Sequence, residues 1–230
     1  METRLIRRGT IVLLCLCCVQ FVFWSGQYLY WPWWSDHDVF STVARSWDAG
    51  YLPYRDQLCN NFPGTIYQFW LVGKLFGWGN TGAYNAFDQL LFLLLVATLL
   101  SWSYRRFASL LPGAIATASL CSYYFNQDFS MVAQRDWHAA LWCAMAIMVL
   151  NSGPTRLSMA LGALCYAFGL VIRPQVVSWA PALVLALDEQ VRRPCEPLAR
   201  TAPRAIAGAS LTAMFLVLFF MPILGNGVGG

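Results

Sequence analysis

The sequence predicts an all-α protein, a multispanning membrane helical bundle whose first outer loop carries interfacial helices. Composition is the first ground: of 230 residues, 58% are hydrophobic and only 11% are charged, outside the balance of a water-soluble domain. Long apolar runs recur along the whole chain, and arginines and aspartates separate into alternate connecting segments. The formal charge of +4 is accounted for by arginines between the runs, so it supplies no case for nucleic-acid binding.

The first run, residues 9–30, follows Arg4, Arg7 and Arg8. At about 1.5 Å per helical residue it is long enough to cross a hydrocarbon core of about 30 Å. A cleaved signal peptide would show a small-x-small site after the run, but Tyr30, Trp31, Trp33 and Trp34 stand there instead. The run reads as an uncleaved signal anchor ending in an aromatic belt. Residues 31–77 then form an outer loop. Within it, Ser35 followed by Asp38 reads as a capping box that opens a helix with Val39, Phe40, Val43 and Trp47 on one apolar face. The apolar stretch 63–77 is too short to cross and is expected to be re-entrant or interfacial.

Further runs at 86–104, 108–125, 137–150, 157–172, 174–187 and 205–224 bring the expected number of spans to seven. If the amino terminus is cytoplasmic, the inner loops receive Arg105, Arg106, Arg156, Arg192, Arg193, Arg200 and Arg204, as the positive-inside rule requires. Asp36, Asp38, Asp48, Asp56, Asp128 and Asp136 all fall outside. Counting 63–77 as a span would reverse the later loops and spoil this separation. Six of the eight cysteines, Cys15, Cys17, Cys18, Cys121, Cys143 and Cys165, lie in apolar runs, so no disulfide framework is expected. The whole chain reads as one transmembrane domain without internal repeats.

The first outer loop holds the candidate chemistry. Asp38 is the natural backbone cap and Asp36 would at least favour the helix dipole. Asp36, less committed to capping, can also accept a proton from a bound hydroxyl and is the first candidate base. His37 between two acids is a weak signal for a divalent cation, and a solvated surface histidine is the plainer expectation. Asp88, one turn into the second span, is an acid inside the membrane; it either faces a cavity or compensates the dipole at that helix's amino end.

The order Asp36-His37-Asp38-Val39-Phe40, Gly50-Tyr51-Leu52-Pro53-Tyr54-Arg55-Asp56, Asn61-Phe62-Pro63-Gly64-Thr65 and Phe76-Gly77 resembles the amino-terminal half of membrane glycosyltransferases of the GT-C fold. These are the polyprenyl-phosphate-sugar-dependent enzymes that include protein mannosyltransferases and the aminoarabinose transferases of lipid A. Gln134-Arg135-Asp136 is similar to a Gln-Arg-acidic motif of bacterial members, and Arg173-Pro174 to a basic-proline pair at an outer helix end. The resemblance departs in two places. Asn61-Phe62-Pro63 stands where many relatives have Lys-Pro-Pro, so no lysine contact to donor phosphate carries over, and Lys74 is no obvious substitute. The superfamily also has more spans, so the chain is expected to be an amino-terminal portion.

The resemblance implies an enzyme that moves a sugar from a polyprenyl-phosphate donor to an acceptor on the outer face of a bacterial inner membrane. Asp36 would serve as base and Asp136 as a second carboxylate aiding the acceptor or a divalent cation. Arg135 and Arg173 would balance the donor phosphate, and Asp38 and Asp88 are expected with them among the substrate-binding residues. Arg135 with Asp136 as a helix-start ion pair, and Arg173 snorkelling to the interface, are the structural alternatives. The rival from another class is a non-catalytic multispanning protein, either a lipid-binding remnant or a transporter. A transporter should place ionisable residues at mid-membrane, whereas these acids keep to one face.

Overall fold

The computed structural model describes residues 4–57, 59, 61–128, 130–151, 155–191 and 201–224. Every regular element among them is helical: α1 (Arg4–Tyr28), α2 (Ser35–Asp48), α3 (Pro63–Phe76), α4 (Thr81–Phe107), α5 (Leu111–Tyr124), α6 (Arg135–Leu150), α7 (Arg156–Ile172), a 3-10 stretch (Pro174–Trp179), α8 (Ala180–Val191) and α9 (Thr201–Leu224). Three segments, Arg4–Tyr28, Thr81–Phe107 and Ala202–Ile223, are long and apolar enough to cross a membrane. The other runs form shorter helices, of 14 residues in α5, 16 in α6, 17 in α7 and 12 in α8. At about 1.5 Å per residue none of these reaches about 30 Å. So three of the seven expected spans have spanning length by themselves.

Local chemistry sets several boundaries. The Asn80 side chain accepts the Ala83 N–H to cap α4, and Thr155 with Ser158 forms a capping box on α7. Pro63 opens α3 from the first turn, where its missing N–H costs nothing. The capping box expected at Ser35 and Asp38 is not formed. Ser35 is already the first helical residue of α2, Trp34 occupies the cap position, and no side chain caps there. Asp36 and Asp38 instead lie in the first turn, where the helix dipole favours acids. The buried face of α2 is His37, Phe40, Val43 and Ala44, with Val39 exposed, so the helix is rotated from the face its most apolar residues suggested.

Helix directions follow from named contacts. Cys17 meets Cys121 and Phe21 lies 5.9 Å from Phe125, so α1 and α5 run parallel. Ser103 near the end of α4 bonds Ser109 and the Gly113 N–H, so α4 runs against α5. Leu91 and Leu95 cluster with Leu141, Met145 and Met148, which sets α6 beside α4 in the same direction. Gly169 approaches Ala139 and Cys143 while Gly162 approaches Leu150, so α7 returns against α6. The ends carrying Tyr28, Asp88, Tyr124, Asp136 and Arg173 therefore meet at one end of the bundle. Arg105, Arg106 and Arg156 sit at the opposite helix ends.

Helix α3 stays at the first of these ends along its whole length. Gly64 abuts Val171 and Ile172 at the end of α7, Gln68 bonds His138 in the first turn of α6, and Phe69 stacks on Tyr84 with centroids 3.9 Å apart. At its other terminus Asn80, which caps α4, donates to the Phe76 carbonyl. Gly64 is the tightest of these joints: a Cβ there would lie 2.8 Å from backbone atoms of Val171 and Ile172. Gly64→Ala should therefore destabilise the fold by about 1–3 kcal/mol, the usual cost of overpacking. Thermal unfolding in detergent measures it, and an unchanged midpoint would mean that α3 does not dock on α7 this closely.

Candidate functional site

A cavity of about 670 Å³ opens at the aspartate-bearing end, bordered by α2, the α5–α6 connection and α6. That size suits a small-molecule ligand. Asp36, Asp136, Gln134, Ser130, Tyr124 and Trp137 are among its lining residues. The loop that frames it is shaped by its own side chains. Asp128 accepts both the Ser130 N–H at 2.9 Å and the Ser130 hydroxyl at 2.5 Å, which holds its carboxyl below the ordinary range. Gln134 Nε2 donates to the Ser130 carbonyl at 2.8 Å.

Four of the six site residues expected from sequence come together here. Arg135, at the first position of α6, approaches Asp36 with Nη2 3.9 Å from Oδ2, donates to Asn61 Oδ1, and lies 5.1 Å over the Phe40 ring. Arg173 holds Asp136 with two bonds, Nη2 to Oδ2 at 2.7 Å and Nε to Oδ1. Arg173 is positioned by its sequence neighbour: Pro174 cannot continue an α-helix and disfavours helical geometry in the residue before it, so α7 ends and Arg173 turns extended. The helix-start pair considered between Arg135 and Asp136 is absent, because consecutive residues point about 100° apart around a helix. Each pairs across elements instead. Asp38 is exposed on α2 and does not line the cavity.

Asp88 lies behind the cavity wall, with 0% exposure. Its Oδ2 accepts from the Tyr28 hydroxyl at 2.7 Å and from the Tyr124 hydroxyl, and its Oδ1 lies 2.7 Å from His138 Nε2. His138 Nδ1 lies 3.0 Å from Gln68 Oε1. Tyr124 alone of this set also lines the cavity, so Asp88 stands one residue back from it. Sequence reasoning singled out Asp88 but none of its partners. The available signal was the presence of polar Gln68 and His138 inside apolar runs, since buried polar groups in such a setting need each other.

His37 departs most from expectation. It is 3% exposed rather than solvated, and its ring packs 5.6 Å from Tyr84 and 6.0 Å from Phe69. Its Nε2 lies 3.2 Å from the Ala133 carbonyl, which only accepts, so Nε2 carries the hydrogen and Nδ1 is left buried without a partner. With Asp36 facing the cavity and Asp38 facing solvent, the three do not converge on a cation. Among the described residues no group of three His, Cys, Asp or Glu side chains is placed to hold a metal. Lys74 pairs with Asp48 at 2.8 Å, away from the cavity. No protein-family model, curated protein or solved structure matches the chain.

Burial lowers the proton affinity of His37 below the usual 6.5. The folded state thus holds it neutral while the unfolded chain takes up a proton as pH falls below about 6.5. Its contribution to stability is complete above that pH and is lost progressively on acidification. His37→Gln, which keeps a donor for the Ala133 carbonyl, should show a smaller fall in unfolding temperature between about pH 7 and pH 5. Identical slopes for both proteins would mean that His37 is protonated in the folded state.

Proposed function

We propose that the chain belongs to a membrane glycosyltransferase that moves a sugar from a polyprenyl-phosphate donor to an acceptor hydroxyl at the outer membrane face. One observation carries the reading: Asp36 and Asp136 line one cavity, and each faces an arginine from another element, Arg135 at 3.9 Å and Arg173 at 2.7 Å, so the four charges come from three separate helix ends. Transfer requires a base, a place for the anomeric centre and cations for the departing phosphate. The acceptor hydroxyl gives its proton to Asp36 as its oxygen attacks the anomeric carbon. The bond from that carbon to the phosphate oxygen breaks, and the electron pair leaves with the polyprenyl phosphate. Arg135 and Arg173 balance the charge that develops there, and Asp136 aims the Arg173 fork until phosphate arrives.

A non-catalytic bundle would use the same ion pairs only to tie helix ends together, and substitution separates the two readings. Asp36→Asn should lower transfer by about 100-fold or more without loss of folding, the low end for a general base. Arg173→Gln should depress turnover more than donor binding, and Arg173→Lys should recover part of the loss. These are measured by consumption of lipid-linked sugar in the natural full-length protein. Near-normal turnover of a well-inserted Asp36→Asn protein refutes the assignment of the base.

The location that goes with this reading is a bacterial inner membrane, with the amino terminus cytoplasmic, seven crossings and the cavity outside. The alternating helix directions and the placement of α3 wholly at one end support it. Reporter fusions after Arg106 and Arg156 should read cytoplasmic, and fusions after Asp56 and Asp128 should read outside. A cytoplasmic signal at Asp128 would require α3 to cross and would overturn the topology.

A further inference from the structure

We propose that the groove between α7, α8 and α9 is a binding site for an anionic phospholipid, with the chain between the helices and the phosphate against Arg156 and Arg204. This site is separate from the Asp36 cavity and does not depend on the proposed catalysis.

The groove encloses about 310 Å³. Met159, Ala163, Tyr166 and Leu170 form its α7 wall, Leu183 and Leu187 its α8 wall, and Gly208 and Thr212 face them from α9. Its two polar side chains are already committed. The Tyr166 hydroxyl faces the Val176 and Val177 carbonyls at 3.5 and 3.4 Å, and the Thr212 hydroxyl donates to the Gly208 carbonyl at 2.9 Å. A ligand inside therefore gains only apolar contact, which suits an alkyl chain. The lining of α9 runs from Ala205 to Leu216, about 16 Å of helix, or half of a hydrocarbon core of about 30 Å. The occupant thus belongs to one leaflet.

Charge decides which end holds its headgroup. Arg156 precedes Met159 by three residues and Arg204 precedes Gly208 by four, so each continues the helical face that lines the groove. Neither has a carboxylate within ion-pair distance among the described residues. At the opposite end, Arg173 is held by Asp136 and Arg135 sits beside Asp36. Along the sequence from Arg156 to Arg204, omitting Arg173 at the other end, Arg156, Arg192, Arg193, Arg200 and Arg204 stand against Asp188, Glu189 and Glu196, five positive charges to three negative. An apolar groove continued by two arginines that have no carboxylate partner among the described residues matches a lipid phosphate attached to an alkyl chain.

The test is lipid retention by the full chain, read by native mass spectrometry after exchange into detergent with equal phosphatidylglycerol and phosphatidylcholine. The protein should prefer phosphatidylglycerol. Arg156→Gln and Arg204→Gln should each reduce that preference by about five-fold, near the value of one basic residue at a lipid surface, whereas the paired lysine variants should keep most of it. Ala209→Phe, which fills the groove from an exposed position and leaves both arginines intact, should displace the lipid. Retention that ignores Ala209→Phe, or that responds to Arg173→Gln in place of the Arg156 and Arg204 changes, overturns the proposal. The first result would leave only a surface charge effect, and the second would place the headgroup at the other end. If a glutamine variant fails to insert, the lysine and Ala209→Phe variants still give the answer.

Discussion

The aspartate-bearing end of the bundle depends on one buried carboxyl, that of Asp88. A carboxyl with no solvent must find all its partners inside the protein, and removing one partner of such a set costs about 3–5 kcal/mol. Here the partners come from different helices: Tyr28 from α1, Tyr124 from α5 and His138 from α6, with Gln68 of α3 behind His138. Helices α1, α5 and α6, and α3 through His138, are thus tied to a single side chain on α4. Tyr124 passes the constraint outward, because its hydroxyl also accepts the Ala133 N–H at 3.3 Å while its ring lines the cavity. The Ala133 carbonyl in turn takes the His37 bond, so the same residue links the base of α2 to the loop before α6. Asp36 and Arg135 stand on either side of that link, one residue from His37 and two from Ala133.

Much of the fold was legible because apolar runs in a chain of this composition have few alternatives to helices. Each of the seven runs contains or coincides with helix, although Pro174 to Trp179 interrupts one of them with a 3-10 turn. The face of α2 was not legible. Phe40 and Val43 belong to the more apolar stripe with Val39 and Trp47, yet they equally share a face with His37 and Ala44. Periodicity allowed both, and a carbonyl at Ala133, nearly a hundred residues away, favoured the second. The same limit applies at Ser35, where the capping-box pattern is present in the sequence but the helix starts one residue too early to use it.

At the candidate site, the sequence showed which charges share an end of the bundle but not how they pair. Asp36, Arg135, Asp136 and Arg173 could be placed together from loop order alone, since alternating helices return their ends to one side. Pairing depends on side-chain direction. Neighbouring Arg135 and Asp136 diverge around α6, so one turns to α2 and the other to the end of α7. The partners of Asp88 were hidden for a related reason: Tyr28, Tyr124, Gln68 and His138 each look ordinary alone, and only the helix packing brings them to one point.

Two of the carboxylates near the cavity, Asp88 and Asp136, are held in ways that differ and bear on chemistry. His138 and Asp88 are both 0% exposed at their side chains, so opening that pair would strand a polar group in an apolar interior. Asp136 is 62% exposed and Arg173 28% exposed, and a pair of that kind is worth only about 0–1 kcal/mol against water. The outer pair can therefore exchange its carboxylate for another anion at little cost, while the inner one cannot. On the proposed reading, a bidentate fork held open to solvent, on helix ends fixed by a buried network that does not yield, would be aimed before a phosphate arrives.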